Sequence, residues 1–384
     1  MKVNQLWKEK LEDNKEEINR IYNSLEDELS KKIYENLVRL HYTGDVKYLI
    51  ETVRLNGFEP DPALLQYEKL NDWVSEGRPL ILYGLGRNAQ AAIRLAKNKE
   101  GEIGYLFFPF ITSIKWTAYC DKNPEEVLEL PNEDNEIISP EEMVKRYPDA
   151  LVCVTSDIYY EEIKKELMGL GVDAERICQY IPGRTKVFEE NQYFDKEFML
   201  PQKEGYFVEG GAYCFDSAER FFKWNNKLGF EGLLSFEPDP VNFDICRDKL
   251  AKACIDTGMK VNSKIINAGL SDGKYMMKFR SGSNDESCFT EDGDIQVPLV
   301  TIDETVGDRT VSFIKLDVEG FELQALYGAQ NTIKRFHPRI AVCAYHKKED
   351  LLELPKWILD LNMGYRLRIR MYSNEYLEIV LYAI

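Results

Sequence analysis

Residues 206–217 read YFVEGGAYCFDS, an apolar strand that runs straight into a glycine pair and then into Asp216-Ser217. Small residues at the end of a strand let the backbone approach a ligand closely, and Asp or Ser can begin the helix that follows. In an open parallel sheet, ligands bind beyond the carboxyl ends of the strands. This junction therefore predicts a doubly wound α/β fold and the place to look for its site.

Outward from it, the strand-like runs are EGLLSFEP (231–238), SKIINAGLS (263–271), VSFIKLDVEG (311–320), RIAVCAYH (339–346), YRLRIRMYS (365–373) and EIVLYAI (378–384). Helices fit the gaps after the first, second, fourth and fifth strands, which implies a parallel sheet. The last two strands are separated by only NEY, too short for a parallel crossover, so they should pair antiparallel. Two further runs, YMMKFRS and IQVPLVTID within 275–303, predict an inserted hairpin at the mouth of the site.

Four segments fall at carboxyl ends of consecutive strands: Glu209-Gly210-Gly211-Ala212, Phe236-Glu237-Pro238-Asp239-Pro240, Asn267-Ala268-Gly269-Leu270-Ser271 and Lys315-Leu316-Asp317-Val318-Glu319-Gly320, with Glu322 in the helix behind. Glu237 follows Gly210 by 27 residues (237 − 210), close to the spacing at which an acid accepts both ribose hydroxyls of a nucleotide. Singly, each segment reads equally well as a turn or a helix cap. Together they point to a nucleotide-binding cleft.

The blocks EGGAYCFDS, SFEPDPVNF, NAGLSD, VTIDE, IKLDVEGFELQALYGAQNTI and AYHKKEDLLELP, in this order and spacing, resemble the FkbM family of S-adenosylmethionine-dependent methyltransferases over roughly 204–384. The resemblance implies a class I methyltransferase fold, a Rossmann-like, mostly parallel seven-stranded sheet with a terminal antiparallel hairpin. It implies O-methylation of a sugar, glycan or secondary-metabolite hydroxyl, with S-adenosylmethionine as cofactor. By position, Glu209, Gly211, Ala212 and Ser217 would contact the methionine portion. Glu237 would hold the ribose, supported by Asp239 and Asn242, and Ala268 and Gly269 would flank the adenine. The family has Asp where this chain has Glu209, and a second glycine where it has Phe215. The expectation is that this turn is rebuilt or holds the methyl donor less tightly.

A sulfonium methyl is already electrophilic, so the chain has chiefly to align the acceptor and receive its proton. Asp317 and His346, one of three histidines, end neighbouring strands. Either is a candidate base, with Glu319 orienting the acceptor. The primary expectation is a metal-free site; the alternative is Mg²⁺ held by Asp317, Glu319 and a third ligand, because clustered carboxylates suit hard cations.

Ahead of this half lie a helical segment (1–75), a smaller Rossmann-like α/β domain (76–185) and a polar, strandless linker (186–203), before the methyltransferase domain (204–384). The first segment repeats Ile18, Ile21, Leu25, Leu29, Ile33, Leu37 and Leu40 at helical spacing. It reads as a helix packed on the body of the protein or, alternatively, one that forms a homodimer. In the second, Gly84, Gly86 and Ala89 fit G-x-G-x-x-A after the strand RPLILYG, with Asp121 ending the next strand KWTAYC. That pattern suits a second nucleotide or nucleotide-sugar site, a relic with a structural role, or an NAD-dependent oxidoreductase centre. Binding without catalysis remains the non-enzymatic alternative for the whole chain.

A net charge of −17 argues against nucleic-acid partners and anionic membranes, which need clustered Lys and Arg. The apolar run YLFFPFITSI (105–114) is too short to span a bilayer. Eight scattered cysteines without a CxxC pair predict buried thiols and a reducing, cytoplasmic setting.

Overall fold

The computed structural model describes residues 9, 12–61, 64–65, 73, 76–86, 88–89, 93, 116–127, 136–156, 158–180, 187–188, 190–201, 204–225, 230–257, 262–281, 288–290, 293–374 and 376–384. The run at 105–114 and most of the helix expected over 88–98 lie outside them. Two compact units emerge, one built mainly on Glu35–Val187, the other on Lys15–Tyr34, Phe188–Tyr372 and Glu378–Ile384. Among the described residues no helix is long and apolar enough to cross a membrane.

The first unit holds β1 (Leu80–Tyr83), β2 (Ala118–Cys120), β3 (Ile137–Ile138), β4 (Leu151–Val154) and β5 (Ile177–Gln179), all parallel in the order β3-β2-β1-β4-β5. Every residue of β1, β2 and β4 is buried, the continuous apolar run that a sheet covered on both faces requires. Ile81, Val152 and Val154 pack there against Met143 and Leu167 of the flanking helices. Each such side chain contributes about 1.5–3 kcal/mol by leaving water. The helix Pro140–Arg146 begins where Ser139 accepts the Glu142 N–H and Pro140 fixes the first turn.

The second unit carries β6 (Tyr206–Gly210), β7 (Gly232–Phe236), β8 (Lys264–Ile266), β9 (Gly269–Leu270), β10 (Tyr275–Arg280), β11 (Cys288–Phe289), β12 (Ile295–Val300), β13 (Val311–Leu316), β14 (Arg339–Cys343), β15 (Leu367–Met371) and β16 (Ile379–Ala383). Seven of them form the sheet β15-β16-β14-β13-β6-β7-β8. Its strands β8, β7, β6, β13 and β14 are parallel, and β16 runs antiparallel to both β14 and β15. This is the class I methyltransferase arrangement, with the terminal hairpin as expected. Strand order reverses between β6 and β13, which opens a crevice at their carboxyl ends.

The insertion is larger than a hairpin. Strands β10 and β12 pair antiparallel, but β11 and β9 join them in a four-stranded sheet β11-β10-β12-β9. Phe279, Phe289, Val297 and Leu299 form its own small core, with Phe321 packed against it.

Among the described residues, the N-terminal region includes the helices Lys15–Ser24, Glu28–Thr43 and Lys47–Leu55. The first break follows from Asp27, whose carboxylate accepts the Ser30 N–H and starts a new helix. There Leu25 bridges to Leu367, and the Glu26 N–H donates to the Leu367 carbonyl at 2.9 Å. Gly44, at φ +72°, makes the second break. The stretch 190–200, read as linker, falls within the second unit: Tyr193, Phe194, Phe198 and Met199 are buried there. The Phe194 ring meets Phe207 on β6 and Phe313 on β13, with centroids 6.1 and 5.6 Å away.

Candidate active site

Strand β6 ends at Gly210, and the turn that follows is the closest approach of backbone in the site. Gly211 sits at φ +75°, and a Cβ there would lie 1.7 Å from the Asp317 carbonyl at the end of β13. Only glycine admits that contact, so the turn after β6 packs directly on the end of β13. Lys315, buried on β13, donates through Nζ to the carbonyls of Gly211 (2.6 Å) and Gly210 (3.3 Å). The N–H groups of Gly211 and Ala212 both reach the Phe236 carbonyl at 3.1 Å.

Phe215 takes the glycine-like backbone itself, at φ +71°, with its N–H donated to Ala212. Its ring is fully buried and packs edge-on to Phe222, leaving no surface for a ligand to touch. The left-handed conformation costs about 1–2 kcal/mol. Burial of a phenyl ring is worth about 1.5–3 kcal/mol, so packing outweighs strain.

Beneath the turn, Glu209 is completely buried and accepts the hydroxyls of Ser217 and Ser235. Burial raises its carboxyl pKa, opposed next by the charge of Lys315. The side chains of Glu209 and Ser217 are thus engaged with each other under the turn. Glu237, at the end of β7, accepts the Tyr213 N–H at 2.7 Å and the Asp239 N–H at 2.9 Å. It keeps lone pairs on both oxygens for two more donors. Burial pushes its carboxyl up to about 7, although those two backbone bonds pull it down. Asp239 caps the next helix by accepting from Val241 and Asn242, and its other oxygen takes the Ser281 hydroxyl from the insertion. Asn267 donates to the carbonyls of Glu237 and Pro238. Ala268 is buried, and Gly269 lies in β9, where a Cβ would meet Phe289 at 2.5 Å.

Beyond the ends of β13 and β14 the structure brings Asp317, Glu319 and His346 together. His346 Nε2 stands 3.5 Å from Asp317 Oδ1 and 3.6 Å from Glu319 Oε2, while Nδ1 stands 2.8 Å from Glu322 Oε1. Burial works against the imidazolium, but Glu322, then Glu319 and Asp317, hold the pKa well above that of an ordinary histidine. Burial would also raise Asp317; Lys315 and His346 outweigh it and keep the carboxylate ionised. Glu319 and Gly320 both have positive φ (52° and 89°), and the resulting bend lets Glu322 accept the Val318 N–H. Left-handed backbone at a non-glycine residue is strain of the kind that gathers at functional sites.

Three contributors were given no role in the sequence reading. The Tyr193 hydroxyl donates to Asp317 Oδ2 at 2.9 Å, and Tyr345 donates to Oδ1 at 3.5 Å. Lys315 approaches Oδ2 at 4.0 Å. Tyr193 comes from a stretch with no strand or motif, and no sequence signal marked it.

In the first unit, a cavity of about 460 Å³ opens at the carboxyl ends of β1, β2 and β4, lined in part by Gly84, Gly86, Asp121 and Thr155. Asp121 accepts the Leu85 and Asn123 N–H groups, which braces the Gly84 turn. Ala89 is buried behind it.

Residues 203–367 match the family model described as the methyltransferase FkbM domain. No curated protein sequence matches. Among solved structures, the chain resembles a methyltransferase FkbM from Methylobacillus flagellatus KT with a TM-score of 0.56 at 16% identity, over 93% of this chain and 99% of that one. At that identity the likeness bears on fold. An rRNA methylase from Streptococcus thermophilus is more distant, with a TM-score of 0.30 at 11% identity over 48% of this chain and 87% of that one.

Proposed function

Because residues 203–367 belong to the FkbM methyltransferase family, we propose that this methyltransferase uses S-adenosylmethionine to methylate a hydroxyl of a sugar, glycan or secondary metabolite. The observation that carries the reading is the glycine turn at Gly211, packed against the Asp317 carbonyl, with Glu237 ending the neighbouring strand β7 and the Asp317–Glu319–His346 cluster beyond β13 and β14. When bound, S-adenosylmethionine supplies an electrophilic methyl group on sulfur. The turn at Gly211 and Ala212, supported by Glu209 and Ser217, holds the methionine end. Glu237 accepts the ribose hydroxyls on its remaining lone pairs, Asp239 and Asn242 fix its loop, and Ala268 and Gly269 border the adenine.

The residues across the crevice work on the acceptor. Asp317 is oriented by Tyr193 and Tyr345 and kept ionised by Lys315. With Glu319 and His346 it forms an anionic face that draws an acceptor hydroxyl in and receives its proton as the new bond forms. Holding oxygen and methyl in line is the larger part of the work. Calorimetric titration of the full chain with S-adenosylhomocysteine tests the cofactor, and a methylation screen of a hydroxyl-bearing metabolite library with labelled donor tests the acceptor class. Binding of NAD in place of S-adenosylhomocysteine would overturn the reading.

A further inference from the structure

We propose that Asp317, Glu322 and His346 hold a first-row divalent cation at the carboxyl ends of β13 and β14, an inference that rests on the acceptor face described above and gives it a metal. Each residue offers one ligand atom, and the three atoms lie within 4.8 Å of one another. Two of these side chains have unmatched polar atoms. His346 is 6% exposed at its side chain, yet neither ring nitrogen has a hydrogen-bond partner; Glu322 is 0% exposed, and its Oε2 has none.

The contact between them is informative. Nδ1 lies 2.8 Å from Glu322 Oε1, the distance of a close ion pair. Two ligand atoms each ~2.1 Å from one ion, at right angles, stand ~3 Å apart. Nearby polar atoms are otherwise satisfied: Asp317 Oδ2 takes the Tyr193 hydroxyl, Glu322 Oε1 the Val318 N–H, and Asp350 Oδ2 the Lys347 N–H. The unmatched atoms are confined to the His346–Glu322 corner of this cluster.

Two carboxylates and an imidazole form a mixed oxygen and nitrogen set. It suits Mn²⁺, Co²⁺ or Zn²⁺ better than Mg²⁺ or Ca²⁺, which favour oxygen throughout. Three protein ligands leave positions open for an acceptor oxygen. A cation there polarises the acceptor hydroxyl, and the proton passes to Glu319, whose side chain is 48% exposed and within 3.6 Å of His346 Nε2. His346 and Asp317 then act as ligands, and Glu319 is the carboxylate that receives the proton.

The full chain, stripped with chelator and dialysed, is titrated with Mn²⁺ and followed by the loss of the free-ion paramagnetic resonance signal and by thermal melting. The proposal expects one Mn²⁺ per chain and a rise in Tm on binding. His346→Ala and Glu322→Gln should each weaken binding by at least ~10-fold and abolish the Mn²⁺-dependent rise in Tm. His346→Ala leaves the Glu322 bond to Val318 intact, which guards against a folding artefact, and melts without metal report the fold of both variants. Absence of saturable binding, or binding unchanged in both variants, overturns the proposal. A chain that takes Mn²⁺ but not S-adenosylhomocysteine keeps the cation and refutes the cofactor reading. A chain that takes S-adenosylhomocysteine but not Mn²⁺ does the reverse.

Discussion

The sheet of β1–β5 and the sheet that starts at β6 are wound in the same order, and each places a positive-φ glycine after its first strand and an acid after its second, yet their fourth strands end differently. Gly84 and Asp121 match Gly211 and Glu237 in position. In the first sheet, the hydroxyl of Thr155 ties down the carbonyls of Tyr83 and Gly84. In the second, the same task falls to the ammonium of Lys315, held between Glu209 and Asp317, which outweigh the burial that would lower its pKa. Winding order supplies a crevice in both. The charged set at the end of β13, joined by His346 beyond β14, gives the second crevice groups able to move a proton.

The sharpest way to break this comparison is to remove those groups. Asp317→Asn and His346→Ala should each lower turnover by about 10²–10⁴-fold, the usual worth of the acid–base machinery to which they belong. Affinity for S-adenosylhomocysteine should hold within a few fold, since the Gly211 turn meets the backbone carbonyl of Asp317, which Asp317→Asn keeps. Asp121→Asn in the first unit should leave that affinity unchanged. Steady-state kinetics with an identified acceptor, beside calorimetry, decide it; wild-type turnover in both C-terminal variants would remove the distinction between the two crevices.

The glycines sharpen the comparison in stability. At Gly211 an added Cβ meets the Asp317 carbonyl at 1.7 Å, at Gly84 it meets only Thr155 Oγ1 at 3.5 Å, and at Gly86 it meets nothing within 4 Å. Gly211→Ala combines overpacking of ~1–3 kcal/mol with a left-handed penalty of ~1–2 kcal/mol, so a loss of about 2–5 kcal/mol is expected, together with loss of cofactor binding. Gly84→Ala should cost the left-handed penalty alone, and Gly86→Ala should stay within ~0.5 kcal/mol. Denaturant unfolding of the three variants ranks them directly.

Phe215 gives a smaller effect with opposing terms. Phe215→Gly relieves ~1–2 kcal/mol of strain at φ +71° but deletes a fully buried ring, a change that costs ~3–5 kcal/mol in most cores. The net expectation is destabilisation by about 1–4 kcal/mol, even though the substitution restores the family's glycine. A more stable variant would show that strain, not packing, dominates this turn.

These cases show what could be read in the sequence. Strands β6, β7 and β13 were legible because central parallel strands are near-continuous apolar runs that stop at glycine or an acid, and β14 because such a run precedes His346. Asp317, Glu319 and His346 were legible because strand ends mark the crevice. Lys315 was not: within VSFIKLD nothing distinguishes a buried lysine from a solvated one, and its burial depends on Glu209 from another strand. Tyr193 was hidden for the same reason, since its contact with Asp317 spans 124 residues. Strand β3, at two residues, is too short to carry a periodic signal. The separate helices at the N-terminus turn on two local features, the Asp27 cap and the positive-φ Gly44, inside an otherwise helical pattern.

The smallest effect concerns the acids that end the second strands. Glu237 is raised to about 7 by burial. Its carboxylate can accept both ribose hydroxyls, whereas the neutral acid gives up acceptor capacity to its own proton. Affinity for S-adenosylhomocysteine should therefore be full near pH 8 and fall roughly tenfold by about pH 6, equivalent to ~1.4 kcal/mol. The linkage to folding runs the other way. A carboxyl raised in the folded chain contributes stability below its unfolded value of ~4.3 and loses it as pH rises through about 7, so the cofactor-free chain gains stability from this group on acidification. Glu237→Gln should flatten both dependences, with lower affinity at pH 8. Paired calorimetry and melting across this range separate the two signs, and affinity that is flat with pH in the wild type would mean that Glu237 does not hold the ribose.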